Sequence, residues 1–168
     1  MTTKYIIEKL VNEGKLKRFE PYLPSGEVCE RDIFMTVSLF KHIEEGISKK
    51  YGLDYGEKVK AHLVFFIRGG KIRSGKHIKE VEPFGNGVWA FRILESPQTR
   101  IFGGFIEKDV FIAFYMDKRS SLNSSRYRTM VERVKNQWRI IIKEKRMLAS
   151  SNIGDLISNG VNHDQRKK

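Results

Sequence analysis

The sequence predicts an α+β fold in which helices pack on one face of a small, mostly antiparallel sheet. Apolar residues recur at helical spacing through most of the first 70 residues. Three strand-like runs follow between residues 88 and 116, separated by short polar breaks. A long amphipathic helix is predicted over about 125–148. Because links this short join neighbouring antiparallel strands, the three runs predict a meander.

The N-terminal 30 residues predict one helix and an extended segment. Apolar residues at helical spacing indicate a helix over 3–12, which Gly14 ends. Residues 16–23 contain apolar and aromatic side chains, but Pro21 interrupts the run. This segment is therefore predicted to be a short edge strand or an extended arm.

Two helices are predicted next, joined as an antiparallel hairpin. Asp32 is a plausible N-cap for a helix over 33–50. Asp54 and Glu57 have the spacing of a capping box for a second helix, which ends near Gly69. A short link that contains glycine joins the two helices and favours their antiparallel packing.

The second half of the chain is predicted to contain the meander and the long helix. Residues 71–82 are predicted to be a basic connector, followed by strands over 88–94, 99–106 and 110–116. The fold class is thus α+β, with a three-strand meander and an N-terminal edge strand, packed by a helical hairpin and a long C-terminal helix. The predicted domains are 1–30 as an N-terminal helix and arm, 31–148 as a basic core, and 149–168 as a flexible basic tail.

Composition places the chain among basic, folded proteins. It has 168 residues with 40% hydrophobic and 11% aromatic residues, which is too apolar for a disordered chain. The single cysteine excludes an internal disulfide. No apolar run reaches the ~18 residues of a membrane span. The N-terminus has no signal-peptide pattern, so we expect a cytoplasmic protein without membrane contact.

The positive charge is concentrated in the second half of the sequence. The net charge is +12, and residues 85–168 carry 16 basic and 8 acidic side chains. Residues 117–146 are denser still, with ten basic residues against three acidic ones. Such a surface releases counterions on contact with a polyanion, whereas a merely solvated surface has no reason to concentrate its charge. The distribution favours nucleic acid as the partner.

Motifs for several classes of enzyme are absent from the sequence. The four histidines lack the HExxH spacing, and one cysteine cannot build a structural metal site. There is no phosphate-binding loop and no GxSxG elbow. We therefore expect no metal and no cofactor.

RNA allows one cleavage reaction that needs neither a metal nor a cofactor. Its 2′-hydroxyl attacks the adjacent phosphodiester, and the protein orients the strand, stabilises the developing charge and moves two protons. Basic side chains near strand ends are the candidates for this work, together with a tyrosine that equally suits the core of its helix: Arg92, Arg100, Lys118, Arg119 and Tyr127. Candidate nucleic-acid contacts lie in the connector and on the long helix: Lys71, Arg73, Lys76, His77, Arg126, Arg128, Arg133 and Arg139.

Residues 77–119 contain a series of short motifs. These are His77-Ile-Lys-Glu-Val-Glu, Gly85-Asn-Gly-Val-Trp-Ala-Phe-Arg-Ile, Thr99-Arg-Ile-Phe and an apolar strand that ends in Asp117-Lys-Arg. The series resembles the core of the RelE/HigB branch of the RelE–ParE toxin superfamily, and the match extends over roughly residues 30–127. Two positions depart from the pattern: Ala90 stands where some members have a basic residue, and Thr99 replaces a common tyrosine.

The resemblance implies a toxin that cleaves mRNA without a metal, in many members on the ribosome. It implies that Arg92, Arg100 and Arg119 are catalytic, with Lys118 beside them and Tyr127 as an acid, a base or a stacking residue. It also implies an acidic antitoxin as the inhibitor, since complementary charge speeds association. Two other functions stay open, because the superfamily's fold does not fix its activity. One is non-catalytic nucleic-acid binding, and the other is a protein-interaction module such as a gyrase poison.

Overall fold

The computed structural model describes residues 1–162, which form a six-stranded mixed sheet between two layers of helices. The strands are β1 (Leu16–Arg18), β2 (Asp32–Thr36), β3 (Ile78–Glu80), β4 (Val88–Ile93), β5 (Thr99–Glu107) and β6 (Val110–Lys118). The helices are α1 (Thr3–Asn12), α2 (Val37–Lys41), α3 (Ile47–Tyr51), α4 (Leu53–Ile67), α5 (Ser124–Ile141) and α6 (Ile153–Leu156). A π-helical turn, His42–Gly46, joins α2 to α3, and a 3₁₀ turn, Arg119–Ser121, precedes α5.

The strand order in the sheet is β1-β2-β6-β5-β4-β3. Strand β2 pairs parallel with β6, and the other neighbouring strands pair antiparallel. The predicted α+β class is confirmed. The sheet is larger than the sequence predicts, because β2 and β3 were not recognised as strands.

Helices cover both faces of the sheet, so the prediction that they pack on one face is wrong. The hairpin of α2–α4 and the short α6 pack on one face around Phe66 and Phe91. Helices α1 and α5 pack on the other face around Phe102 and Trp138. The reason lies in strand β6. Phe111 and its neighbours place apolar side chains on both faces of the sheet, so helices must shield both faces from water.

The segment from Asp32 begins as a strand, although the sequence predicts that Asp32 caps a helix. Residues 32–35 pair with β6 in the middle of the sheet, and this pairing overrides their local helical pattern. The Asp32 carboxylate instead pairs with Arg18 at 2.6 Å. The helix starts one turn later, where the Thr36 hydroxyl accepts a hydrogen bond from the Leu39 amide.

The connector predicted over 71–82 contains the short edge strand β3. It pairs antiparallel with β4 and places Lys79 opposite Ala90. Three residues are too few for a visible alternation pattern. Gly75 shortly before the strand and Pro83 shortly after it are residues typical of turns, so the sequence indicates a loop here.

The predicted tail over 149–168 is packed against the sheet as far as it is described. Helix α6 and the residue after it bury Ile153, Leu156 and Ile157 in the core. Residues 163–168, with the basic end of that predicted tail, lie outside the described residues. Within residues 1–162, no helix is both long enough and apolar enough to cross a bilayer.

The buried Arg31 ties this C-terminal segment to the sheet. Its guanidinium donates hydrogen bonds to the carbonyls of Phe66, Gly70 and Ser158 at 2.7, 3.0 and 2.6 Å. It also lies over the Phe66 ring and 3.5 Å from Asp109. One side chain thereby satisfies the backbone of α4, the following loop and the C-terminal segment.

Arg31→Ala is expected to lower the free energy of unfolding by about 3 kcal/mol, because it leaves the carbonyls of Phe66, Gly70 and Ser158 without their donor and removes a buried cation from its ion pair with Asp109. Urea denaturation measures this loss. The matched control is Arg68→Ala, which removes an exposed ion pair with Glu27 and is expected to cost less than about 1 kcal/mol. Equal losses in the two variants would contradict the role of Arg31.

Candidate active site

A row of charged residues crosses three adjacent strands near one end of the sheet. Arg92 on β4 lies opposite Arg100 on β5, and Arg100 lies opposite Asp117 on β6. Side chains alternate along a strand, and Ala90 belongs to the core on the α5 face. The row therefore faces α5 and lies next to the start of that helix.

Arg92 and Arg100 of this row form the floor of a cavity of about 510 Å³ between the sheet and the first turns of α5. Five basic residues line it: Lys79, Arg92, Arg100, Arg119 and Arg128. Tyr127, Ser124, Ala90 and the segment 80–83, which contains the acidic Glu80 and Glu82, complete the wall. The cations outnumber the carboxylates, so the lining carries a net positive charge, and the cavity is of a size that admits a phosphodiester group.

Arg100 is the most deeply buried cation of the site, with 4% of its surface exposed. Its Nη1 donates a hydrogen bond to the Thr99 carbonyl at 2.9 Å, which fixes the guanidinium. Burial lowers the pKa of Arg100 below its ordinary value, and the Tyr127 hydroxyl opposes this shift. Arginine still carries its charge at neutral pH, so the cavity holds a fixed, poorly hydrated cation.

The neighbours of Arg100 increase the excess of positive charge. Arg92 is the cross-strand partner of Arg100 and Arg119 lines the same cavity, and the charges of both lower the pKa of Arg100 through repulsion. The Nε of Arg92 is buried and has no hydrogen-bond partner among the described residues. An anion with several oxygen acceptors would relieve the repulsion and pair with the free donor.

Tyr127 belongs to both the core and the cavity. Its ring contacts Phe102 edge-on, with centroids 6.0 Å apart. It occupies the first turns of α5, where the Asn123 side chain caps the helix by accepting from the Arg126 amide at 2.8 Å. The packing and the cap hold the phenol beside Arg100, where it lines the cavity.

The carboxylate of Glu80, in the cavity wall, accepts hydrogen bonds from other parts of the protein. Its Oε1 accepts hydrogen bonds from the Gly85 amide at 2.5 Å and the Ser151 hydroxyl at 2.8 Å. These contacts fix the turn between β3 and β4 and partly offset the carboxylate charge.

Four of the five residues predicted to be catalytic meet in the cavity: Arg92, Arg100, Arg119 and Tyr127. Lys118 does not line it. Its Nζ lies 5.2 Å from the centre of the Tyr51 ring, on the opposite side of the sheet. Neighbouring residues of a strand point to opposite faces, so Lys118 turns away where Asp117 turns towards the site.

The residues predicted to contact nucleic acid divide into separate groups. Arg128 lines the cavity, and Arg126 is paired with Asp117 at 3.1 Å. Farther along α5, Arg133 lies over the Tyr115 ring, and Arg139 donates to Asn136.

The other four predicted contacts precede or flank β3 and do not line the cavity: Lys71, Arg73, Lys76 and His77. His77 is partly buried in this loop. Its Nδ1 accepts from the Arg73 amide at 2.8 Å, and its ring lies 5.3 Å from that of Phe65. Burial lowers the pKa of His77, so it is a neutral structural residue near pH 7.

Lys79 is the site residue that the sequence did not assign to the site. It is the cross-strand partner of Ala90, so both side chains face the cavity. The small Ala90 leaves room for the longer side chain beside it. The sequence carries no clear signal for this placement, because the three residues of β3 show no alternation of apolar and polar side chains.

Comparison with protein-family models, curated proteins and solved structures gives no match. Within residues 1–162, no group of three His, Cys, Asp or Glu side chains is arranged to hold a metal ion. The functional argument therefore depends on the chemistry of the cavity itself.

Inorganic phosphate is expected to stabilise the protein by occupying this cavity. At ten times its dissociation constant, a single-site ligand raises the free energy of unfolding by about 1.4 kcal/mol. Thermal unfolding in phosphate and in chloride at matched ionic strength measures the effect. Arg100→Ala is expected to abolish the phosphate increment and Arg73→Ala, outside the cavity, to retain it. An increment that survives in Arg100→Ala would contradict the assignment.

Proposed function

We propose that the protein is a toxin-like ribonuclease, an mRNA interferase, that binds a phosphodiester of single-stranded RNA in the cavity and cleaves it. The observation that carries the proposal is the convergence of five cations and one phenol on a single cavity. Fixed cations stabilise charge that develops on phosphate oxygens in a transition state. The side chains supply the positive charge that the reaction requires.

The cleavage uses the RNA's own 2′-hydroxyl as the nucleophile. Its oxygen forms a bond to phosphorus, the bond from phosphorus to the 5′-oxygen breaks, and a 2′,3′-cyclic phosphate and a 5′-hydroxyl result. One proton leaves the 2′-oxygen and one reaches the 5′-oxygen, so no external co-reactant is consumed. Arg100 and Arg92 hold the non-bridging oxygens, while Lys79 and Tyr127 are the lining groups suited to proton transfer.

The order of elements supports the resemblance to RelE/HigB toxins. A strand, a helical hairpin and the four antiparallel strands β3 to β6 follow one another, and the apolar strand β6 leads into Asp117-Lys118-Arg119. We propose on this basis that the RNA is mRNA, presented by the ribosome in the cytoplasm, and that an acidic antitoxin segment covers the same cations. A segment that folds onto the cavity would inhibit by charge complementarity.

Non-catalytic binding of nucleic acid is the second candidate. The observation that favours it is the exposed basic surface of α5 beyond the cavity, where Arg133 and Arg139 lie. Phosphate contacts along such a surface add affinity without chemistry. In that case the charges of the helix, and not the buried Arg100, dominate binding.

Arg100→Ala is expected to lower RNA cleavage by about a hundred-fold or more, the usual effect of removing one preorganised donor to a developing oxyanion. Purified protein is added to a translating extract with EDTA, and new mRNA ends are mapped by primer extension. Arg119→Ala is expected to lose cleavage as well, and Arg139→Ala is the control, since this exposed arginine lies outside the cavity.

New ends that persist unchanged in folded Arg100→Ala would refute the assigned site. Uncut mRNA with the unmodified protein would refute ribosome-dependent cleavage of mRNA and favour the binding function.

Moving the lysine across the strand pair tests the role of Lys79. Lys79→Ala is expected to lower kcat by about a hundred-fold to ten-thousand-fold, in the range of a lost proton-transfer group. The double variant Lys79→Ala/Ala90→Lys is expected to regain part of this loss, because the two positions are cross-strand partners on one face. Single-turnover cleavage measures both. A double variant that folds normally and is no more active than Lys79→Ala contradicts the role.

A further inference from the structure

A second groove, of about 840 Å³, adjoins the cavity at the edge of the sheet. The two share Lys79, Glu80 and Arg92 in their walls, so a bound chain would pass from one to the other over edge strand β3. The groove is further lined by Trp89 and by Phe84 in the turn between β3 and β4. Residues of the C-terminal segment, including Asn152 and Asn162, form the remaining wall.

One buried hydrogen-bond donor in this groove wall lacks a partner and has no role in the basic cavity. Among residues 1–162, the Nε1 of Trp89 is buried with no acceptor. Trp89 belongs to the core on the hairpin face of the sheet, whereas Arg92 lies on the α5 face, where its free donor serves the basic cavity. The indole of Trp138 differs, because its Nε1 donates to the Lys145 carbonyl at 2.6 Å. Buried donors are normally paired, and an unpaired donor in a groove wall indicates an acceptor that a ligand brings.

An exposed aromatic ring lies at the same groove. Phe84 has 65% of its surface exposed. A solvent-facing ring beside cations is the arrangement by which proteins stack bases of single-stranded nucleic acid. Glu80 holds the turn that carries Phe84 in place through its bond to the Gly85 amide.

We propose that this groove is a nucleobase subsite for the nucleotide next to the phosphodiester held in the basic cavity. The base stacks on Phe84, and one of its carbonyl or ring-nitrogen acceptors pairs with the free Nε1 donor of Trp89, while Arg92 stays with the phosphodiester. The proposal rests on the proposed function in taking single-stranded RNA as the ligand. It adds that the protein holds one base beside the cut, and so discriminates among RNA sequences at that position.

The test is equilibrium binding of a short 2′-O-methyl RNA, which lacks the nucleophile and is not cleaved. Phe84→Ala is expected to weaken binding by about five-fold to a hundred-fold, the range for loss of one base–aromatic stack. Tyr22→Ala is the matched control, because Tyr22 is 91% exposed and lies outside the groove. Equal affinities of the two variants overturn the proposal.

A single abasic nucleotide, moved stepwise along the RNA, identifies the base that occupies the groove. One position is expected to weaken binding in the unmodified protein and to have no further effect in Phe84→Ala, because base and ring act together. Additive losses at every position overturn the proposal.

Exchange of the tryptophans tests the free donor. Trp89→Phe is expected to weaken RNA binding by about two-fold to ten-fold, the effect of one hydrogen bond. Trp138→Phe removes a donor that is already paired, and it is expected to lower stability while RNA affinity stays unchanged. Equal affinities of Trp89→Phe and the unmodified protein overturn the assigned donor.

The binding assay separates the subsite from the proposed cleavage. Weaker binding by Phe84→Ala with no cleavage by the unmodified protein supports the subsite and refutes the nuclease. Cleavage that depends on Arg100, together with unchanged RNA affinity in Phe84→Ala, refutes the subsite alone.

Discussion

The register between β4 and β5 is the constraint on which the site depends. It sets Arg92 directly opposite Arg100, and the next pairing sets Arg100 opposite Asp117. Like charges opposite each other in a sheet are destabilising by up to about 1 kcal/mol. The arrangement persists because apolar residues of the same two strands are buried in the core and fix the register. These residues are Val88 and Ala90 on β4 and Phe102 on β5. A shift by one residue would exchange side chains between the two packed faces and disrupt both cores.

The rest of the fold supports this register from both sides. The helical hairpin covers one face of the sheet, while α1 and α5 cover the other. Helix α5 has two roles, since Trp138 and its neighbours pack on the sheet and the first turns bring Tyr127 to the cations. The packing of the core therefore offsets the repulsion among the cations and keeps their side chains close together. A bound anion with several oxygen acceptors would relieve this repulsion, so the proposed binding of RNA would also stabilise the fold.

The sequence predicts the parts of the site that lie on long, periodic elements. Strands β4 to β6 and helix α5 are long enough for their patterns to be read, and Arg92, Arg100 and Tyr127 were placed through them. The sequence does not establish on which face the end of β6 turns each side chain, so it does not distinguish Lys118, which lies near Tyr51, from the residues that line the cavity. Lys79 was not assigned because β3 has three residues, and β2 was taken for a helix because its strand character comes from pairing with β6. Such long-range pairings are absent from local sequence patterns.

The chemical identity of the RNA ends tests the central claim most directly. Purified protein, with ribosomes and EDTA, is given an RNA that carries one 2′-deoxynucleotide at the mapped cleavage position, beside the all-ribose RNA. The account predicts that the all-ribose RNA yields a 2′,3′-cyclic phosphate and a 5′-hydroxyl, and that the single 2′-deoxynucleotide abolishes the cut. A 3′-hydroxyl with a 5′-phosphate, or a cut that persists at the 2′-deoxy position, would contradict it.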